Sequence, residues 1–358
     1  MDNQEERLIK MRVDAIEVPK PLTKLDILKK ISSGTELRNG INDIVNGGMG
    51  AIIVVANPKV YEIFLGGFKV NCKFNSKRLF ELTKMDGAII LSEDFKKILY
   101  ANTLLIPDST LPSSETGIRH QAAERTAKQT GTLVITISQR RGEIIIYYGN
   151  HKYVLQPTED LLRRATETLQ ILEKQKEIFN ELLLNLNVLE LTGLVSIGDI
   201  CKILQRIEMI KKIESIINEY LVELGKDGAI LKMRMREIMR GIEKEDDLIM
   251  KDYIPYPLKT KQFFESLNFE EILNLENISI ALFHQPLDKE TIPKGYRLLD
   301  KTSLAKEKIE NLAKELGNLK NILDADDETL INAVGVDAEL FKKNISNLRE
   351  KILVGKMI

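Results

Sequence analysis

Residues 116–131 read Thr116-Gly117-Ile118-Arg119-His120-Gln121-Ala122-Ala123-Glu124-Arg125-Thr126-Ala127-Lys128-Gln129-Thr130-Gly131, a glycine delivering a basic pair onto the start of a helix. The chemistry that arrangement offers is phosphate binding. Backbone N–H groups at a helix start, and the positive end of its dipole, both favour an anion, and Arg119 adds a planar fork of donors suited to phosphate oxygens. Upstream, Lys84-Met85-Asp86-Gly87-Ala88-Ile89-Ile90-Leu91 places a carboxylate where a polar segment gives way to an apolar strand. Gly87 beside it leaves room for a ligand to approach the backbone. Taken singly, Asp86-Gly87 also reads as an acidic turn, and Arg119-His120 as a solvated pair at a helix end. Their joint order and spacing is what points to a site.

The elements that must position these residues follow from periodicity. Up to about residue 150, short β-branched runs alternate with helical stretches, and Ala51 to Ala56, Gly87 to Leu91, Leu133 to Ser138 and Ile144 to Tyr148 read as strands of an α/β domain. Gln139-Arg140-Arg141-Gly142-Glu143 reads as a hairpin turn that displays two arginines. After Pro157 the chain becomes leucine-rich and charged. Thr158 caps a long helix to Glu190, a second runs from near Ser196 to Gly225, and a third from about Asp227 to the break at Tyr253-Ile254-Pro255-Tyr256-Pro257. This middle third is expected to be an antiparallel helical spacer. From Pro293 onward the pattern is short helices with glycine stops at Gly317 and Gly335. The expected division is 1–156, 157–291 and 292–358.

Composition bounds the function. With 358 residues, 43% hydrophobic and 29% charged, the chain suits two or three folded domains. No apolar run approaches a membrane span, and Asp2, Glu5 and Glu6 ahead of Arg7 and Lys10 make the N-terminus too acidic for a signal peptide, so a cytoplasmic protein is expected. Lys plus Arg (52) balance Asp plus Glu (53), so any nucleic-acid contact must be local. Cys72 and Cys201 lie far apart with no CxxC partner, and suggest neither a disulfide nor a zinc site. His151 and His284 have no partner at a metal spacing, and Gly47-Gly48-Met49-Gly50 precedes a strand rather than a helix, unlike a dinucleotide fingerprint.

Asp86-Gly87-Ala88 followed by Arg119-His120-Gln121 resembles the paired Asp-Gly-Ala and Arg-His-Arg motifs of diadenylate cyclases, and within them the DNA-integrity scanning type. The likeness covers nearly the whole chain, including Gly66-Gly67-Phe68, the run from Lys96 to Asn102 and Gly295-Tyr296-Arg297-Leu298-Leu299. It implies an α/β cyclase domain with a mixed sheet flanked by helices, an all-α spine and a C-terminal helix-hairpin-helix module. It implies two ATP joined head to tail into cyclic di-AMP, each 3′-hydroxyl attacking the other's α-phosphate, between cyclase domains that meet face to face in a homo-octamer. Asp86 would bind Mg²⁺ or Mn²⁺ and help deprotonate the 3′-hydroxyl, and His120 would join the metal shell or touch phosphate. Arg119 and the amides from Ile118 to Ala122, led by Gly117, would hold the triphosphate. Gly87, Ala88 and Leu105 would line the nucleoside pocket, and Arg141 would reach the β- and γ-phosphates.

The departures from the family pattern define the alternatives. Gln121 stands where the motif has its second arginine, a neutral donor in place of a charge. In the C-terminal hairpin, Val334-Gly335-Val336-Asp337 carries an aspartate where a second glycine is expected; Asp337 repels phosphate or caps the next helix. Gly335, Lys342, Lys343 and Arg349 remain as phosphate contacts, but Asp324, Asp326, Asp327 and Glu328 lie just before them, so branched DNA is expected to bind weakly or not at all. Three readings stand: an active cyclase, a nucleotide-binding relative without turnover, and a DNA-binding scaffold.

Overall fold

The computed structural model describes residues 23–302 and 304–354; the N-terminal acidic stretch weighed against a signal peptide lies outside them. The chain forms two compact units: the first takes in residues up to Leu162 together with Glu219–Ala229, the second Arg163–Asn218 and Ile230 onward.

The first unit is built on an eight-stranded sheet in the order β2-β5-β4-β1-β6-β7-β8, with β3 also paired to β5. The strands are β1 (Ala51–Val55), β2 (Phe64–Leu65), β3 (Phe68–Lys73), β4 (Ala88–Leu91), β5 (Lys97–Leu105), β6 (Leu133–Ile137), β7 (Ile144–Tyr148) and β8 (His151–Leu155). Helices α1 (Lys24–Ile31), α2 (Glu36–Asn46), α3 (Ser76–Thr83) and α4 (Ile118–Thr130) flank it. Strand β1 is buried along its whole length because both faces are covered. Ile53 and Val55 pack with Leu28, Ile41 and Leu79, while Ile52 and Val54 pack with Ala123 and Ala127 of α4. Two covered faces demand a continuous apolar run, which is why the central strands were legible.

Strands β1 and β4 are parallel (Ile52 opposite Ala88), and the remaining pairs are antiparallel, so the sheet is mixed. The starts of β1 and β4 therefore lie at the same end of the sheet as the ends of β5 and β6, with Ala51 opposite Ile137 and Ala88 opposite Thr103. The turn between β6 and β7 forms as expected: Gly142 is left-handed (φ +66), its N–H donates to Ser138 O (2.8 Å), and Ser138 N–H donates to Glu143 O (2.9 Å). Strands β2, β3, β5 and β8 were not expected. Strand β5 is bent at Asn102, which is left-handed (φ +55) where the register with β4 shifts, and β8 is largely exposed, so its sequence carries no apolar run. Glu219–Ala229 completes this unit: Glu223 accepts from Tyr153 Oη (2.6 Å) and from the Gln156 N–H (3.0 Å), and Lys226 N–H donates to Ser33 O (3.2 Å).

The helical region opens with α5 (Thr158–Thr192) and α6 (Ile197–Leu224), the latter stopped by left-handed Gly225 (φ +52). The single third helix expected from Asp227 to Tyr253 is two, α7 (Ala229–Met239) and α8 (Ile242–Tyr253), because Gly241 at φ +85 breaks the run. Short helices α9 (Pro257–Ser266), α10 (Phe269–Ile272) and α11 (Leu275–Phe283) follow. Within the second unit, Arg234 forks onto Glu173 (2.7 and 2.9 Å) and Lys211 reaches Asp246 (2.7 Å).

The last helices are α12 (Tyr296–Asp300), α13 (Lys306–Leu316), α14 (Leu319–Asp324), α15 (Asp327–Val334) and α16 (Ala338–Leu353), around Leu299, Leu312, Ile322, Leu330 and Phe341. Gly317 and Gly335 end α13 and α15 as expected, at φ +78 and +72. Asp337 precedes α16 without capping it through its side chain; its carboxylate instead pairs with Lys308. Gly295-Tyr296-Arg297 has a structural account. The three successive N–H groups donate to Asp252 (2.7, 2.7 and 2.9 Å), and the fully buried Arg297 donates to Glu190 (3.0 and 2.6 Å) and Asn187 (2.7 Å). Burial, then the neighbouring Glu190 charge, push Asp252 up to about 7 against the pull of those N–H donors.

Among the described residues no helix is long and apolar enough to cross a membrane.

Candidate nucleotide site

At the sheet end where β1 and β4 begin, a cavity of about 500 Å³ opens. Gly50, Ala51 and Ile52 come from the start of β1, Asp86, Gly87 and Ala88 from the start of β4, and Thr103, Leu104 and Leu105 from the end of β5. Ile118, Arg119 and Ala122 come from the first turns of α4, and Gln139 from the hairpin. Of the residues expected at the site, the structure thus brings together Asp86, Gly87, Ala88, Leu105, Ile118, Arg119 and Ala122. Gly117, His120, Gln121 and Arg141 do not line it. Arg141 is exposed and pairs with Glu143 (3.6 Å), and the Gln121 side chain donates to the Glu115 carbonyl (2.8 Å).

Arg119 crosses the mouth of the cavity to donate to Asp86 Oδ1 at 3.0 Å. The Asp86 side chain is 95% exposed, so this carboxylate keeps lone pairs for another partner. Helix α4 is capped at Gly117 without any side-chain acceptor, which leaves first-turn N–H groups for a ligand. Gly87 is required for a different reason from the one expected. It is left-handed (φ +99), and a Cβ there would sit 2.8 Å from Thr103 O, so the space it provides is filled by the β5 backbone. Gly50 does face the site: a Cβ there would lie 3.0 Å from Arg119 Nη1. Its place ahead of an apolar strand was visible in the sequence, but its contact with an arginine far along the chain was not.

Behind the cavity, Glu115 accepts from Tyr147 Oη (2.9 Å) and Lys152 Nζ (2.5 Å). Burial alone would raise the Glu115 carboxyl, but the bonds from Lys152 and Tyr147 outweigh it and hold it below the ordinary range. Tyr147 is pushed up by burial and by that carboxylate.

The donor set also bears on a metal. Among the described residues no three His, Cys, Asp or Glu side chains cluster as a metal cage. One exposed carboxylate at a cavity mouth suits a hard divalent ion held chiefly by phosphate oxygens and water.

Residues 38–152 match the family model described as DisA bacterial checkpoint controller nucleotide-binding, and residues 155–290 match the DisA bacterial checkpoint controller linker region. The DNA integrity scanning protein DisA of Carboxydothermus hydrogenoformans is 43% identical over 338 residues, which cover 90% of this chain and 96% of that one. Its counterpart in Clostridioides difficile is 40% identical over 343 residues, 92% and 96% of the two chains. The chain belongs to the DNA integrity scanning family. Its sheet unit carries the family's nucleotide-binding domain, and the cavity, with its Asp86–Arg119 pair, lies inside the matched residues.

Proposed function

We propose that the chain is a diadenylate cyclase, condensing two ATP into cyclic di-AMP with loss of two pyrophosphates. The observation that carries this reading is the open carboxylate of Asp86, held by Arg119 at the mouth of a cavity that also receives an uncapped helix start. Arg119 and the free amides of Ile118, Arg119 and His120 bind and neutralise the triphosphate, the Gln121 N–H expected among them being spent on Gly117 O (2.9 Å), while Leu105, Ala88 and Gly87 flank the nucleoside. Asp86 is the residue to hold Mg²⁺ or Mn²⁺, which when bound would lower the pKa of the attacking 3′-hydroxyl. His120 and Arg141 are assigned to phosphates approaching from outside the cavity.

An Asp86 so exposed cannot exclude water within one chain. Met85, Leu104 and Ile118, at the cavity and 43%, 63% and 86% exposed, support a second copy laid face to face over the site, as in an octamer. The region 292–358 is proposed to be a tandem helix-hairpin-helix module with weakened hold on DNA. Asp337 is engaged by Lys308, and Lys342 by Asp327, while Lys343 stays exposed and Gly335 supplies the hairpin turn.

The test is to incubate the purified full-length protein with ATP and Mn²⁺ or Mg²⁺ and assay cyclic di-AMP by mass spectrometry, with Asp86→Asn as control. Product from the parent alone supports the cyclase. No product from an oligomer that still binds ATP would leave a nucleotide-binding relative without turnover.

A further inference from the structure

Helix α4 carries a polar stripe, Gln121, Glu124, Arg125 and Lys128, at the spacing of one helical face, opposite the Ala123 and Ala127 that pack on the sheet. In the structure it is covered by the segment that precedes the helix, which runs back along it from one end to the other. Asp108 N–H donates to Gln129 Oε1 (2.8 Å), Arg125 Nε to Leu111 O (2.9 Å), and Lys128 Nζ to Pro112 O (2.8 Å). The Ser113 hydroxyl and the Ser114 N–H donate to Glu124 (2.6 and 2.9 Å), and Gln121 Nε2 donates to Glu115 O (2.8 Å). The last rung is tied to the sheet as well, because the Glu115 carboxylate takes Tyr147 Oη from β7 and Lys152 Nζ from β8.

We infer that Gln121 and Glu115 are positioning residues for the phosphate-facing helix start, acting through residues 111–117 rather than by touching nucleotide. This assignment rests on the nucleotide site proposed above. Gln121 does not line the cavity, and its amide is committed to a backbone carbonyl. Glu115 ties the strap to β7 and β8 through Tyr147 and Lys152, and two residues later Gly117 begins the turn that aims Arg119 at Asp86. A side chain that donates at residue 121 is what the last rung needs; a positive charge is not.

Three variants of the full-length protein separate the roles: Gln121→Glu, which keeps the shape but turns an acceptor on the Glu115 carbonyl; Gln121→Arg, which keeps a donor; and Glu115→Gln. Hydrogen exchange of the amides from 111 to 118 reads the strap with no reference to activity, and ATP titration reads the site. Gln121→Glu and Glu115→Gln are expected to speed exchange of those amides about tenfold, while β6 and β7 stay protected. The same two variants are expected to weaken ATP binding about tenfold, because the helix start is no longer pre-organised. Gln121→Arg is expected to stay within about twofold of the parent in both measurements, since a donor is retained. Unchanged exchange in Gln121→Glu would overturn the inference, as would a Gln121→Arg protein whose ATP affinity rises tenfold or more with exchange unaltered, the mark of a phosphate contact. A parent that binds no ATP while the exchange results hold would overturn the site and leave the strap as a purely structural device.

Discussion

Two helix starts in this molecule are built alike and end differently. Gly117-Ile118-Arg119 opens α4, and Gly295-Tyr296-Arg297 opens α12. Each offers free N–H groups and an arginine two residues after a glycine. At α12 the protein supplies its own anion, since Asp252 takes all three N–H groups and Arg297 is wholly buried on Glu190. At α4 no side chain caps the start, and Arg119 stays half exposed on an almost fully exposed Asp86. The same local device is finished as structure where the anion is internal, and is left as a site where it is not.

The arginines give the sharpest break of that comparison. Arg297→Met should destabilise the protein by about 3–5 kcal/mol, because it strands a buried carboxylate. Arg119→Met should change stability by less than about 0.5 kcal/mol, its ion pair being exposed, while cutting cyclic di-AMP formation about 100-fold or more. Urea unfolding beside a product assay reads both. If Arg119→Met unfolded the protein, its helix start would be structural too.

The glycines come next. Gly87→Ala forces a Cβ toward the Thr103 carbonyl at a left-handed position and should cost about 1–3 kcal/mol. Gly50→Ala brings a Cβ to 3.0 Å from Arg119 Nη1 and to 3.3 Å from Gln139 Cβ and the Ile137 carbonyl, without left-handed strain, so stability should fall by less than about 1 kcal/mol, and ATP affinity should fall several-fold. Thermal melts and ATP titration separate the two.

Acidity should move the two regions in opposite directions. The folded carboxyls of Glu115 and Glu124 lie below their ordinary 4.5, so their contribution is complete above that value and is lost as pH falls through the lower folded values. Asp252 lies above its ordinary 3.8, at about 7, so the unfolded chain gives up this proton first. The cost of burying it is absent below 3.8, grows as pH rises toward 7 and is constant beyond. Hydrogen exchange across a pH series, corrected for intrinsic rates, should show residues 111–118 loosening on acidification while the amides of 295–297 tighten. Asp252→Asn should flatten the second trend. The smallest effect concerns DNA: Asp337→Gly removes a carboxylate from the hairpin, and should bring a modest gain in affinity in a low-salt shift assay with branched DNA.

Much of this was legible in the sequence where both faces of an element are buried. The runs at 51–56, 133–138 and 144–148 announced themselves as strands because the cores on either side require apolar residues throughout. The start of α4 was legible from a glycine and a basic pair. What stayed hidden depends on contact rather than composition. Strand β8 is an exposed edge, β5 is bent at a left-handed asparagine, and the break in the third helix turns on one glycine that a helix often tolerates. Gly50 matters because Arg119, Gln139 and the Ile137 carbonyl close on it, and the polar stripe of α4 is covered through contacts with the segment before it. Within the site, the starts of β1 and β4, the end of β5 and three residues of the first α4 turns come together, while Gly117, His120, Gln121 and Arg141 stand apart from the cavity.

The return of Glu219–Ala229 to the sheet unit has a consequence for how the protein is made. A ribosome that has released residue 162 has not yet released the piece that satisfies Tyr153, the Gln156 N–H and the Ser33 turn; that piece emerges only after most of two long helices. The nascent sheet must wait for it with those polar groups facing water. For the same reason, a fragment cut at residue 156 lacks part of its own wall and should be expressed less soluble than a chain carried through residue 229.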